Sequence, residues 1–273
     1  MERGLTNLKD LVIGDRTFQI PIYQRNYSWE QKHWDDLWND LVYLKSDKRH
    51  YFGTLLLRKA KEHKKSGLKS FEVHEIIDGQ QRIATVSILL REIISQLEGI
   101  NNEGIDEELK RLNEDYLRYK DVYKLELLGN DKEFFREYII NNIEFPDEIL
   151  TPSQKRLRGA KSFFRKNLEE LKTTLPSDEF KDFLLELKQK IDNMEIIRYE
   201  VENDADAVLI FETVNDRGKP LTNLEKTKSF LMHAIYLSAP EEPDGYLNQV
   251  NNSFSNIFRW FEEIIDTERG RNL

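Results

Sequence analysis

IIDGQQRIATVSILLR, residues 76–91, is the stretch on which the reading of the fold turns. Ile76 and Ile77 close an apolar, β-branched run, and Asp78-Gly79-Gln80-Gln81-Arg82 follow. Apolar residues at helical spacing come next, with Ile83, Val86, Leu89, Leu90, Ile93 and Ile94 forming one face of a helix to about residue 98. A strand ending in a glycine turn that opens a helix aims unpaired backbone N–H groups and the positive end of the helix dipole at one point. Such a corner favours an anion, and Arg82 adds a planar fork of donors suited to phosphate. The spacing also lets Asp78 cap the helix, with Gln81 three residues on completing a capping box.

Working outward, YFGTLLL (51–57) and FEVHEII (71–77) read as two strands, and the lysine-rich RKAKEHKKSGLK between them as a long hairpin loop. TFQIPIY (17–23) reads as a short strand, with Pro21 arguing against a central ladder position. Ser28 with Gln31 gives a capping box ahead of an amphipathic helix carrying Trp34, Leu37, Trp38, Leu41 and Leu44. GINNEG (99–104) is a break. Helices are then expected near 105–120, 131–142, 153–174 and 178–192, and a late strand at 194–202. A helix at 204–216 ending at Gly218, one capped by Thr222 and Glu225, and a last one over about 246–267 complete the pattern.

Composition narrows the function classes. The 273 residues carry a net charge of -9 and no cysteine, which excludes disulfides, a thiol nucleophile and thiolate metal sites and fits a cytoplasmic setting. No apolar signal core or membrane-length apolar run is present, so no membrane is expected as a partner. The charge is uneven. Residues 45–69 hold nine Lys/Arg against two acids, so a polyanion would meet the N-terminal region first. The five histidines lack paired metal spacing, and there is no Walker P-loop or G-x-G-x-x-G.

Three polar stretches interrupt the patterning: PIYQRNYSW (21–29), DGQQR (78–82) and FETVNDRGKPLT (211–222). Their order, with the YFGTLLL strand between the first two, resembles the N-terminal domain of GmrSD-type restriction endonucleases, bacterial defence proteins against modified phage DNA. The resemblance spans roughly residues 8–235. That family in turn resembles ParB and sulfiredoxin folds, in which a G-x-x-R-type turn at a helix start binds nucleotide phosphates. It implies an α+β fold: a small ParB/sulfiredoxin-like mixed sheet with helices, followed by a mainly α-helical region. The expected organisation is an NTPase core at 1–98 completed by 194–235, a helical insertion at 99–193 and a C-terminal helical segment at 236–273.

The resemblance further implies an NTPase, with GTP the expected nucleotide and Mg²⁺ its companion, regulating DNA cleavage by an HNH-type nuclease domain or subunit. Residue by residue, it puts the catalytic role on Asp78, Gln80, Gln81 and Arg82, with Asp78 also the candidate Mg²⁺ ligand. Nucleotide binding falls to Tyr23, Gln24, Arg25, Gly79, Asn215, Gly218 and Lys228, with Glu225 at the acidic position preceding that lysine. Ile83-Ala84-Thr85 stands where the family commonly has Leu-Thr-Thr. The HNH constellation is missing from this sequence, so the chain is not expected to cut DNA alone, whether it is a fragment or a free-standing subunit. A homo-oligomer is compatible with all of this. The alternative is a module that senses DNA modification and has a degenerate nucleotide site. Tyr23, Tyr27 and Trp29 would then stack on bases, and Lys59, Lys61, Lys64 and Lys65 would track the phosphates.

Overall fold

The computed structural model describes residues 2–45, 48–100, 106–147, 150–201, 222–238 and 243–271. Its centre is a six-stranded mixed sheet in the order β1-β8-β3-β4-β2-β7. The strands are β1 (Glu2–Asn7), β2 (Arg16–Gln19), β3 (Tyr51–Ser66), β4 (Lys69–Asp78), β7 (Leu125–Glu126) and β8 (Glu195–Val201). β5 (Arg118–Tyr119) and β6 (Val122–Tyr123) make a separate two-stranded ribbon. β8, late in the chain, runs antiparallel to β1 (Leu5↔Ile197) and parallel to β3 (Leu55↔Arg198). β3 and β4 form an antiparallel hairpin, and β2 runs parallel to both β4 and β7.

The apolar runs at the ends of β3 and β4 are continuous because both faces of the sheet are covered. Leu55, Leu57 and Ile76 point into a large core, while Leu56 and Ile77 point into a smaller one with Tyr23, Val201, Met232 and Leu247. The large core is built around α3 (Gln80–Glu98), against which α4 (Asp106–Tyr116), α6 (Pro152–Thr174) and α7 (Ser177–Asp192) pack. α2 (Gln31–Val42) buries Trp34, Leu37, Trp38 and Leu41 in the same core. The opposite face is covered from α8 (Asn223–Ser238) and α9 (Asp244–Arg271). The fold is α+β, with helices dominating the C-terminal half.

Several local expectations are corrected. The lysine-rich segment is not a loop: β3 continues to Ser66 and turns at Gly67-Leu68. Its basic side chains find acidic partners, Arg58 on Glu75, Lys59 on Glu72 (2.6 Å) and Lys64 on Glu126 (2.9 Å). Cross-strand ion pairs thus extend a hairpin that hydropathy alone would end earlier. α2 starts two residues later than the Ser28 cap, because the Ser28 N–H is given to Gln81 Oε1 (2.7 Å). Instead the Glu30 N–H donates to His33 Nδ1 (3.2 Å), and Trp29 stacks on the His33 ring. β2 stops at Gln19, before Pro21. The helix expected at 105–120 ends at Tyr116, and the one expected at 131–142 is α5 (Asn130–Phe134) continued by a π-helical turn, Phe135–Ile140. β1, α1 (Leu8–Val12) and the short strands β5 to β7 carried no pattern strong enough to be read. The expected helix at 204–216 and its Gly218 cap lie outside the described residues. Thr222 and Glu225 do form the expected box: the Thr222 N–H donates to Glu225 Oε2 (2.6 Å) and the Glu225 N–H to Thr222 Oγ1 (3.2 Å).

Candidate functional site

The corner between β4 and α3 is made by Gly79, which sits at φ +98° as the N-cap of α3. Glycine takes that left-handed conformation without strain, and a Cβ there would lie 2.5 Å from Leu55 Cδ1. Asp78 is therefore not the N-cap, and among the described residues no side chain caps the first turn of α3. Asp78 instead accepts from the Gly79 N–H and pairs with Arg82 Nη2 at 3.2 Å. Burial pushes its carboxyl pKa up, while Arg82, the Gly79 N–H and Arg25 oppose the shift.

Arg82 is committed to the sheet. Its Nη1 donates to the Phe52 carbonyl (2.6 Å) and its Nη2 to the Thr54 carbonyl (2.5 Å), straddling Gly53. Gly53 has φ +102°, and a Cβ on it would overlap Arg82 Nη1. The parallel register of β3 on β8 slips between Tyr51 and Gly53. That irregularity turns two carbonyls toward one guanidinium.

The Tyr23–Ser28 loop is fastened by other members of the motifs. Gln81 accepts from the Ser28 N–H and donates Nε2 to the Asn26 carbonyl (3.1 Å). Gln24, 1% exposed, donates Nε2 to the Ile77 carbonyl, and among the described residues its Oε1 has no partner. Tyr27 is buried; its hydroxyl meets Thr85 Oγ1 (2.7 Å) and accepts from Trp34 Nε1 (2.9 Å), and burial pushes its pKa up. Tyr27 thus has no ring face to offer a base, a correction to its expected stacking role. Tyr23 lies in the smaller core, where burial, and then Glu75, raise its pKa. Lys228 is 3% exposed and donates Nζ to the Ile22 carbonyl (2.5 Å), Asn251 Oδ1 (3.0 Å) and the Gln24 carbonyl (3.4 Å).

What these fastenings present is Arg25. Among the described residues its guanidinium has no hydrogen bond or ion pair within bonding distance. Burial disfavours its charge, and Glu225 and Asp78 favour it. Arg25 lines a small cleft with Asn26, Gln80, Gln81 and Asp131, beside the start of α3. The Gln80 side chain, buried at 8% exposure, likewise makes no side-chain hydrogen bond among the described residues. The corner thus combines a cation, an amide and an uncapped helix start.

Of the other expected residues, Trp29 is half-buried against His33, Lys59 and Lys64 are ion-paired, and Lys61 and Lys65 are exposed on the hairpin arm. Asn215 and Gly218 lie outside the described residues. Among the described residues no three His, Asp or Glu side chains gather to hold a metal ion. With one carboxylate between two guanidinium groups, the corner is no protein-only Mg²⁺ cage; a metal there would rely on the phosphates of a nucleotide. No helix among the described residues is long and apolar enough to cross a membrane. Two residues escaped the sequence reading. Gly53 had a signal, a glycine inside a strand run, which marks a bulge or a close approach. Asn251 had none.

An α+β domain whose second hairpin strand runs through a glycine corner into a buried helix, with a polar loop fastened across that corner, defines the class. The chain belongs to the family of the GmrSD restriction endonuclease N-terminal domain, whose model matches residues 8–232. Membership places it in a restriction system with a phage-defence role, in a family that acts on DNA and usually pairs this domain with a nuclease domain. No curated protein matches the chain.

Proposed function

We propose that the chain binds and hydrolyses a nucleoside triphosphate, with GTP the expected base, and so regulates a DNA-cleaving partner that acts on modified DNA. The observation that carries this reading is the start of α3 behind Gly79, uncapped among the described residues, faced by the guanidinium of Arg25, which is uncommitted among them. The N–H groups of the first turn and Arg25 receive the phosphates. Arg82, held by the β3 carbonyls, keeps the corner in shape and holds Asp78 in place. In hydrolysis, a water oxygen bonds to the γ-phosphorus while the bond to the β–γ bridging oxygen breaks, and that oxygen leaves with the electron pair. Asp78, whose pKa burial raises, orients the water and accepts its proton. The Gln80 amide helps to position the water, and Arg25 stabilises charge developing on the phosphoryl oxygens. A Mg²⁺ ion accompanying the nucleotide would supply further charge neutralisation at the phosphates.

The test is phosphate release from a panel of nucleoside triphosphates, with Arg25→Ala beside the wild type. Release that favours one base and falls at least tenfold in Arg25→Ala, with folding intact, supports the reading. A folded wild-type chain that neither binds nor hydrolyses any of them ends it.

A further inference from the structure

We infer that Lys228 and Asn251 are positioning residues: together they lock the loop that presents Arg25, joining the C-terminal helices to the nucleotide corner. The inference rests on the proposed nucleotide reading for its functional half and on geometry alone for its structural half.

Lys228 Nζ is enclosed, with three acceptors for its three N–H bonds. Two are main-chain carbonyls of the loop, Ile22 and Gln24, on either side of Tyr23. The third is Asn251 Oδ1, on α9. The Phe258 ring, also on α9, lies 6.0 Å from Nζ. All three donors are thus spent on the scaffold, which leaves none for a phosphate. Asn251 lies beyond residues 8–232, the span matched by the family model. A residue outside the matched span therefore holds the third N–H of a lysine inside it.

The loop has two kinds of fastening. Gln81 ties its far half, through Ser28 and Asn26, to α3, and the Gln24 side chain ties the residue before Arg25 to the Ile77 carbonyl of β4. Lys228 hydrogen-bonds its near half to α8, beside the packing of Tyr23 in the smaller core with Met232, and Asn251 carries the hydrogen-bonded tie on to α9. Arg25 sits between the two sets, so its position depends on both. If Asn251 loses its acceptor, one ammonium proton faces no partner in a site closed to water. The loop then either moves or draws water in. The charge that acts on Lys228 is Glu225 on its own helix, and Glu225 also acts on Arg25.

The experiment compares Asn251→Leu and Asn251→Asp with the wild-type chain. Leucine removes the acceptor at similar volume, and aspartate restores it. Amide hydrogen exchange over residues 21–28, nucleotide affinity and the KM and kcat of phosphate release are measured alongside the melting temperature. The lock predicts at least tenfold faster exchange over 21–28 in Asn251→Leu and a five- to tenfold weaker nucleotide affinity that appears in KM. Aspartate should rescue both, while exchange in α3 stays unchanged. Unchanged exchange over 21–28 overturns the lock whatever the nucleotide does. Faster exchange with unchanged affinity overturns the claim that the lock positions Arg25. Faster exchange in a chain whose wild type binds no nucleotide leaves the lock standing and removes the nucleotide reading instead. If Asn251→Leu fails to fold, Asn251→Ala under the same measurements takes its place, with the same outcomes.

Discussion

Two guanidinium groups meet at the start of α3, and they do opposite things. Arg82 is bound to two carbonyls of β3 and to Asp78, and the strand is bent around it. Arg25, on a loop fastened by Gln24, Gln81 and Lys228, has no such partners among the described residues. Both lie in short polar motifs and both are partly buried, yet one is spent on architecture and the other held ready. The difference lies in backbone rather than side chain: only Arg82 faces a strand irregularity that aims carbonyls at it. A cation in a ligand-binding motif is therefore judged by what its neighbours already supply.

Breaking the committed side should cost the most. Arg82→Ala leaves two carbonyls without their donor and a half-buried carboxylate without its ion-pair partner, and urea unfolding should show a loss of about 3–5 kcal/mol. Gly53→Ala attacks the same contact from the strand, through overlap with Arg82 and a φ of +102°. It should cost about 2–4 kcal/mol by the same measurement. Away from the corner, Glu126 is a control that sharpens the comparison. Burial disfavours its charge, but hydrogen bonds from Lys132, Lys64 and Arg136 prevail and hold its pKa at about 2 against 4.5. Its contribution is complete above about pH 4.5 and lost as pH falls toward 2, worth up to about 3 kcal/mol. Glu126→Gln should flatten that limb of a stability-against-pH curve.

Lys228 runs the other way. Burial lowers its pKa to about 8 from 10.5, with Glu225 opposing. Between those values the unfolded chain holds a proton that the folded chain does not, so stability from this site rises with pH across that window. Lys228→Met should abolish that rise, measured as the difference in melting temperature from wild type between pH 8 and 10. The smallest effect on stability belongs to Arg25→Ala, within about 1 kcal/mol, while nucleotide binding drops by at least tenfold. A stability loss as large as that of Arg82→Ala would erase the distinction between the two arginines.

How much of this was legible in the sequence follows the same divide. The glycine corner, α3 and its buried face, and the late strand β8 were all marked by local pattern, since period and turn chemistry are properties of a few adjacent residues. The long hairpin was missed because its stability comes from acids brought close by the fold, Glu72, Glu75 and Glu126, and such pairings leave no local period. β1 and β7 borrow their strand character from the neighbours they join. At the site, DGQQR identified the place but not the division of labour. That Arg82 and Gln81 face inward, and that Tyr27 is part of the core, depends on carbonyls and hydroxyls distant in the chain. Asn251 is an ordinary helix-surface asparagine until Lys228 is placed beside it.

The Gly53 irregularity also bears on how such a sequence can drift. Because the guanidinium of Arg82 fills the space a side chain at position 53 would need, the two positions are not free to vary independently. A residue larger than glycine becomes tolerable only after the arginine has gone, and the arginine can go only if something else satisfies the Phe52 and Thr54 carbonyls. Inheritance should treat residues 53 and 82, 29 apart along the chain, as a single unit. A lineage that changes one should show the other changed as well, and β3 straightened between them.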